Sequence, residues 1–210
     1  MRKLFEDVAS ASVLAIGAHP DDVELGAGGL VARLAAQGAR VTLAVVSIPT
    51  LKNDRLAEAA TSAQILGARL CVLYQERACR VEDVPMHELV RRFDNLLGDV
   101  QPDLVITHSA SDLHWDHGLV HRATISSLRR TPCDLLAFTS SYELNAHSHV
   151  IGECFADVTP TIETKLAAVA AHATQLPKLN LESTRDLARA MGRICGVPFA
   201  EAFQVLRIRI

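Results

Sequence analysis

The chain has 210 residues, of which 49% are apolar, and this length supports one α/β domain with an ample core over residues 1–210. The net charge of −3 offers no general attraction to nucleic acid, and no apolar run approaches the roughly 18 residues that a membrane span needs. The N-terminal sequence carries acids before any apolar core, unlike a signal peptide, so we expect a cytoplasmic protein.

Apolar runs alternate with segments of helical periodicity along the chain, with no linker between them. Gly38, Gly67 and Gly98 are predicted to end the first three helices. Predicted strands cover residues 12–16, 41–47, 69–74, 103–108, 135–141 and 204–210. Predicted helices cover about residues 24–37, 53–67, 85–98, 117–129, 161–175 and 183–195, and residues 142–160 are predicted to be a loop.

The alternation of strands and helices predicts a Rossmann-like α/β fold with three layers, in which a mostly parallel sheet lies between helices. In the common strand order of such sheets, strands 1 and 4 are neighbours, and ligands bind at their C-terminal ends. Two polar clusters follow these strands. They are GAHPDDVELGAGG (17–29) and HSASDLHWDHGLVH (108–121), and we expect them to face each other across one crevice.

The first cluster favours a cation site over a phosphate site. The adjacent carboxylates of Asp21 and Asp22 repel each other unless a cation or a proton lies between them, and His19 adds a nitrogen ligand. Catalytic zinc takes three protein ligands and keeps one open position, so one histidine of the second cluster would complete the set. The remaining carboxylate beside the metal is suited to accept a proton from water.

These residues resemble the LmbE/PIG-L-type zinc deacetylases, which remove acetyl groups from substrates that carry N-acetylglucosamine. The resemblance joins the HPDD motif of residues 19–22 to DLHWDH (112–117) and extends over RLAEAATSAQILGA (55–68), FADVTPTIETKLAAVAAHATQ (155–175) and GVPFAEAF (196–203). It implies one Zn²⁺ per chain. The ligands that it implies are His19, Asp22 and His117, and Asp21 is the implied general base.

The resemblance also assigns the residues around the metal. His114 corresponds to the histidine that polarises the amide carbonyl and, when protonated, stabilises the oxyanion, and Asp116 to the carboxylate that orients or charges it. Arg55 matches a substrate-binding position. Trp115 replaces the usual proline and is predicted either to stack on a sugar or to pack against a neighbouring subunit. The implied partners are a small N-acetylated sugar or glycoconjugate and further copies of the chain, as a homo-oligomer such as a hexamer.

Other interpretations of these residues remain open. The same metal centre could hydrolyse another amide, such as a thiol conjugate or an antibiotic intermediate, or the chain could be a metal-stabilised sugar-binding protein without turnover. His108 is expected either to support a metal ligand or to be a hydrogen-bonded core residue, and His172 either to serve the site or to pack a helix. The two aspartates disfavour a dinucleotide-binding oxidoreductase, and Gly26 with its neighbouring glycines indicates close helix–sheet packing.

Overall fold

The computed structural model describes residues 8–76, 78–138 and 152–209. The strands are β1 (Ser12–Gly17), β2 (Arg40–Val45), β3 (Arg69–Val72), β4 (Leu104–His108), β5 (Asp134–Phe138), β6 (Cys154–Asp157) and β7 (Ala200–Arg207). The helices are α1 (Asp22–Ala36), α2 (Lys52–Leu66), α3 (Met86–Val100), α4 (Trp115–Ser127), α5 (Ile162–Ala170) and α6 (Leu181–Cys195). None of the helices within the described ranges has the length and apolarity needed to cross a membrane.

One sheet carries all seven strands in the order β3-β2-β1-β4-β5-β7-β6. Strands β1 to β5 pair in parallel, and β7 runs antiparallel to both β5 and β6. Val13 of β1 pairs with Val41 of β2 on one side and with Leu104 of β4 on the other. The predicted adjacency of strands 1 and 4 is therefore confirmed, and their C-terminal ends lie at the same edge of the sheet.

Helices cover both faces of the sheet, as predicted. One core contains Leu30 and Leu34 of α1, Leu66 of α2 and Ala168 of α5. The core on the opposite face contains Phe93 of α3 together with Val120 of α4 and other apolar residues. Because β1 is covered on both faces, its residues are all buried, which explains the uninterrupted apolar run in its sequence.

The C-terminal third differs from the predicted elements. Strand β6 lies within the segment predicted to be a loop, and β7 begins at Ala200, four residues before the predicted strand. The four residues of β6 are too few to show the alternation of apolar and polar residues that predicts a strand, and the Ala-Glu-Ala start of β7 has low intrinsic strand propensity. Both segments are strands because they pair with each other. Residues 139–141 of the predicted fifth strand and residue 210 of the last strand lie outside the described residues.

Helix ends also differ at several points. Helix α3 continues through Gly98 and ends in a left-handed turn at Gln101, whose N–H donates to the carbonyl of Leu97, so the predicted end at Gly98 is wrong. Gly67 does end α2 in the left-handed conformation, as predicted. Helix α4 begins two residues earlier than predicted, because His114 acts as its N-cap, and α5 is shorter than predicted and ends at Ala170.

The glycines of α1 allow the helix to pack directly on its neighbours. A Cβ atom on Gly26 would lie 2.1 Å from Cδ2 of Phe138, and one on Gly29 would lie 2.7 Å from Cβ of Val158. Both of these neighbours are fully buried, so they have little room to move aside. The expected close helix–sheet approach is therefore present, and it fixes the helix whose first turn carries Asp22.

Candidate metal centre

The two polar clusters meet at the C-terminal ends of β1 and β4. His19 and Asp21 lie in the turn after β1, and Asp22 is the first residue of α1. His114 and His117 come from the start of α4, after the loop that follows β4. Residues almost a hundred positions apart in sequence therefore line one crevice, as the strand order predicted.

His19, Asp22 and His117 form a compact set of metal-ligand types. One ligand atom from each of them lies within 4.8 Å of the other two. Oδ1 of Asp22 is 3.3 Å from Nε2 of His117, and Oδ2 of Asp22 is 3.7 Å from Nδ1 of His19. A tetrahedral zinc ion with bonds of about 2.0–2.1 Å separates its ligand atoms by about 3.3 Å, so these three side chains fit the ion.

Each histidine of this set has a carboxylate on its other ring nitrogen. Nε2 of His19 lies 2.9 Å from Oδ2 of Asp116, and Nδ1 of His117 lies 2.6 Å from Oδ2 of Asp112. Histidines that bind metals usually donate their second N–H to such a partner, which fixes the tautomer and the ring orientation. The nitrogens left free for a metal are those that face Asp22.

The electrostatics of the site favour a positive charge beside Asp22. Burial lowers the pKa of His117, but the charge of Asp22 and the hydrogen bonds with Asp112 and Asp22 outweigh burial and raise this pKa to about 10. Burial raises the pKa of Asp22, but His117 and His108 outweigh burial and hold it well below its usual range. The carboxylate of Asp22 thus favours a positive charge next to it, which is what a bound cation would supply.

Asp21 lies beside this set and has no structural task as a helix cap. It is the N-cap residue of α1, but its side chain makes no capping hydrogen bond, and its φ of 97° is unusual for a residue other than glycine. Burial, followed by the charge of Asp22, raises the pKa of Asp21 to about 7. A carboxylate with a pKa near neutrality is suited to exchange a proton during a reaction.

Arg55 lies beneath the turn that carries Asp21. Its guanidinium donates to the carbonyl of Pro20 at 3.0 Å and lies 3.6 Å from Oδ1 of Asp21. The side chain is buried, so most of its surface contacts protein. Arg55 therefore fixes the position of the turn. Its charge lowers the pKa of Asp21 and so partly offsets the rise caused by burial.

His114 is oriented by the backbone of α4. Its Nδ1 accepts a hydrogen bond from the N–H of Asp116 at 3.2 Å, which leaves the ring proton of the neutral form on Nε2. Burial and the nearby His117 and His19 lower the pKa of His114, so the structure favours the neutral ring. The sequence analysis expected a protonated ring, and burial, ahead of the charges of His117 and His19, acts against that form.

Asp116 has a different partner from the expected one. The resemblance assigned its carboxylate to His114, but the carboxylate contacts His19 at 2.9 Å. The reason is local: the backbone N–H of Asp116 meets the His114 ring at the helix start, and the side chain points towards His19. The charge of Asp116 still raises the pKa of His114, although burial and the other histidines outweigh it.

Two further residues contact the candidate ligands, and sequence reasoning gave such a supporting role to His108 only as one of two alternatives. Oδ2 of Asp112 lies 2.6 Å from Nδ1 of His117, and its Oδ1 accepts a hydrogen bond from the N–H of His114. His108 is fully buried, stacks on His117 with 3.9 Å between ring centroids, and has Nε2 at 3.2 Å from Asp22. A histidine that binds a metal usually has a carboxylate partner, and this requirement is the signal by which Asp112 could have been identified from the sequence.

His172 lies in a buried polar group next to the site. Its Nε2 is 3.0 Å from Oε1 of Glu24, which also accepts a hydrogen bond from Oγ of Ser62. Burial lowers the pKa of His172, but Glu24 and then Asp21 outweigh burial and raise it. The group links the end of α5 and α2 to the first turn of α1, so His172 helps to fix the position of the helix that carries Asp22.

A comparison with known protein families identifies the family of the chain. The PIG-L family model, described as GlcNAc-PI de-N-acetylase, matches residues 14–128, which is more than half of the chain. The chain belongs to the PIG-L family. The matched region includes most of β1, the HPDD turn, β4 and the whole of α4.

Two curated relatives of this PIG-L family member carry deacetylase names. The chain is 30% identical over 129 residues to the uncharacterized deacetylase YaiS of Escherichia coli K12. This match covers 57% of this chain and 69% of the relative. It is 25% identical over 199 residues to a probable N-acetyl-alpha-D-glucosaminyl L-malate deacetylase 2 of Bacillus cereus, with coverage of 82% and 86%.

Solved structures share the fold at lower identity. The conserved protein TT1542 of Thermus thermophilus matches with a TM-score of 0.79 and 24% identity over 95% of this chain and 96% of that one. The 4-carboxy-2-hydroxymuconate hydratase GalB of Pseudomonas putida matches at 0.77 and 22%, over 95% and 98%. The N,N'-diacetylchitobiose deacetylase of Pyrococcus horikoshii matches at 0.76 and 21%, over 96% and 85%. At these identities the matches establish the fold alone.

Proposed function

We propose that this chain is a zinc-dependent N-deacetylase that hydrolyses the acetamide of an amino sugar or its conjugate, with one Zn²⁺ per chain. The observation that carries the proposal is the placement of the buried carboxylate of Asp21 beside the ligand set of His19, Asp22 and His117. The family description and the name of the Bacillus relative support an acetylated sugar as substrate.

The three ligand side chains would hold the metal, and Asp21 transfers the proton. When held by His19, Asp22 and His117, Zn²⁺ supplies a Lewis acid that polarises the acetyl carbonyl and lowers the pKa of water. Asp21 accepts the proton of the attacking water on a carboxylate oxygen, because a base is most effective when its pKa lies near the working pH. The same oxygen then delivers this proton to the departing amine nitrogen, so that acetate and a free amino group are formed.

His114 stabilises the charge that develops on the acetyl oxygen. Its Nδ1 already accepts from the backbone of Asp116, so Nε2–H of the neutral ring is the available donor. A fixed donor at this position stabilises the transition state more than the ground state. We therefore assign to His114 the role of a neutral hydrogen-bond donor in place of the protonated form expected from the sequence.

Arg55 and Asp116 position the turn of Asp21 and the ring of His19, respectively. Arg55 holds the carbonyl of Pro20 and restrains the turn that presents Asp21, and substrate contact by Arg55 remains a prediction. Asp116 orients His19. We further propose that residues 1–210 act as one catalytic domain in the cytoplasm, and that copies assemble into a homo-oligomer such as a hexamer.

Acetate release tests the proposal directly. The purified protein, loaded with zinc, would be incubated with N-acetylated sugars that are free or linked to a nucleotide, a lipid or an aglycone. We expect release from at least one amino sugar, at a rate that falls about 10²–10⁴-fold in Asp21→Asn. Release only from acetylated amines without a sugar would favour the other amidase interpretation, and a fully inactive panel with zinc bound would contradict the proposed function.

A further inference from the structure

A buried ion pair lies against the middle of α1, the helix that begins with the candidate ligand Asp22. Nζ of Lys165, on α5, lies 2.6 Å from Oε1 of Glu201, on β7. Only 4% of the lysine side chain and 3% of the glutamate side chain are exposed. The proposed reaction uses neither residue, so the pair needs an explanation of its own.

Both members of the pair bond to backbone groups of α1. Oε1 of Glu201 accepts from the N–H of Gly29 at 2.8 Å, and Oε2 accepts from the N–H of Leu30 at 2.7 Å. Nζ of Lys165 donates to the carbonyl of Leu25 at 2.7 Å. In a regular α-helix the N–H of Gly29 would donate to that same carbonyl, four residues earlier. The ion pair therefore lies between two backbone groups that would otherwise bond to each other.

The glycines at this point of α1 leave room for the pair. A Cβ atom on Gly28 would lie 3.3 Å from Cγ of Lys165, and one on Gly29 would lie 3.1 Å from Oε1 of Glu201. Larger side chains would therefore press on the ion pair. Thr161, just before α5, adds a further contact, because its hydroxyl donates to the carbonyl of Gly29 at 2.7 Å. Three side chains from the C-terminal third thus bond to the backbone in the middle of α1.

The two parts of α1 on either side of this contact have different surroundings. The first turn carries Asp22, and the N–H of Leu25 donates to the carbonyl of Asp21 at 2.9 Å. The later part is fixed in the core by Leu30 and Leu34. Side chains that enter the hydrogen bonding of a helix change the direction of the turn before them. The direction of the turn that carries Asp22 therefore depends on the contacts of the ion pair.

We propose that Lys165 and Glu201 are positioning residues for the metal site: their ion pair interrupts the backbone bonding of α1 and so places the carboxylate of Asp22 opposite His117. This inference rests on the proposed zinc site. Stability alone does not account for the pair, because well-packed apolar side chains in place of a buried ion pair are often neutral or stabilising. Apolar side chains here would also let α1 form its regular backbone bonds.

Two variants separate positioning from stability. The double variant Lys165→Met with Glu201→Leu removes both buried charges, so its Tm should stay near that of the wild type, whereas its dissociation constant for Zn²⁺ should rise about tenfold or more. Glu201→Gln keeps the shape of the side chain, and its carbonyl oxygen still accepts from Gly29 and Lys165. This variant should lower Tm by about 5 °C or more, because Lys165 loses its counter-charge, and should bind zinc almost as tightly as the wild type.

A matched control removes an exposed ion pair from the same helix. Glu163 of α5 pairs with Arg185 of α6, and 73% of the glutamate side chain is exposed. Glu163→Gln with Arg185→Gln should change neither Tm nor zinc affinity. Three results would overturn the proposal: a double variant that does not fold, a zinc affinity that follows Tm across the variants, or an equal loss of zinc affinity in the control.

A crystal structure of the double variant without metal tests the positioning role separately from the deacetylase function. We expect the N–H groups of Gly29 and Leu30 to donate to the carbonyls four residues earlier. We also expect the distance from Oδ1 of Asp22 to Nε2 of His117 to lengthen from its present 3.3 Å. An unchanged distance would overturn the proposal. A lengthened distance in a protein that releases no acetate would support the positioning role and contradict the deacetylase function.

Discussion

Nε2 of His19 lies 2.9 Å from the carboxylate of Asp116, and the opposite nitrogen of the same ring faces Asp22 at 3.7 Å. This relationship indicates that Asp116 orients His19, which we propose as a metal ligand. Replacement of such a partner carboxylate typically weakens metal binding, so Asp116→Asn should raise the dissociation constant for Zn²⁺ about 10–100-fold. Competition with a zinc-binding dye measures this constant.

A matched control for that prediction is Asp94→Asn, which removes an exposed carboxylate paired with Arg129 on the surface of α3. We expect no change in zinc affinity in the control. If Asp116 acted through His114 instead, Asp116→Asn would keep wild-type zinc affinity and lose only turnover.

The adjacency of β1 and β4, and the meeting of the two polar clusters at their C-terminal ends, could be predicted from the sequence. The apolar run before His19 and the run before His108 are both uninterrupted, as expected for strands buried on two faces, and the parallel-sheet rules bring their C-terminal ends together. The carboxylate partners of the histidines could not be assigned in the same way. Whether Asp116 contacts His114 or His19 depends on the first turn of α4, where a backbone N–H competes for the His114 ring.

The C-terminal elements were less predictable for a different reason. Strand β6 has four residues, and β7 begins with residues of weak strand propensity, so their conformation comes from pairing with each other and with β5. Gly98 was predicted to end a helix, but the next residues continue the hydrogen bonding to Gln101. Local sequence favours a helix end at glycine without requiring one.

The glycines of α1 and α3 provide a test of packing. Gly26→Ala should lower the free energy of unfolding by about 1–3 kcal/mol, because the new methyl group meets the buried ring of Phe138. Gly98→Ala is the matched control: its Cβ would meet nothing within 4 Å, and the helix should gain about 0.5–1 kcal/mol. Urea denaturation measures both values, and similar effects of the two substitutions would contradict the close approach of α1 to β5.

Removal of the metal should destabilise the native protein. A ligand at 100 times its dissociation constant stabilises the folded state by about 2.7 kcal/mol, which for a chain of this size corresponds to a Tm change of about 5–10 °C. We therefore expect a chelator to lower Tm by this amount and one equivalent of Zn²⁺ per chain to restore it. His117→Ala should show a low Tm that does not respond to either reagent, and a chelator shift that persists in this variant would remove His117 from the ligand set.

The adjacent aspartates should respond differently to the same substitution. Asp21→Asn keeps the volume of the side chain, and asparagine tolerates the left-handed conformation at this position, so metal content and Tm should stay close to those of the wild type. Turnover should fall about 10²–10⁴-fold, because an amide cannot accept a proton from water. Asp22→Asn should instead weaken zinc binding, because it replaces an anionic ligand between His19 and His117 with a neutral one.

Three measurements on the wild type and both variants decide between these roles: metal content, Tm and the rate of acetate release. The two variants are matched, since each removes one negative charge from neighbouring positions of the same turn. If Asp21→Asn held zinc and kept near-wild-type turnover, Asp21 would not be the base, and His114 would be the next group to test. Loss of zinc from Asp21→Asn would place Asp21 among the ligands, because its carboxylate lies next to that of Asp22 at the start of α1.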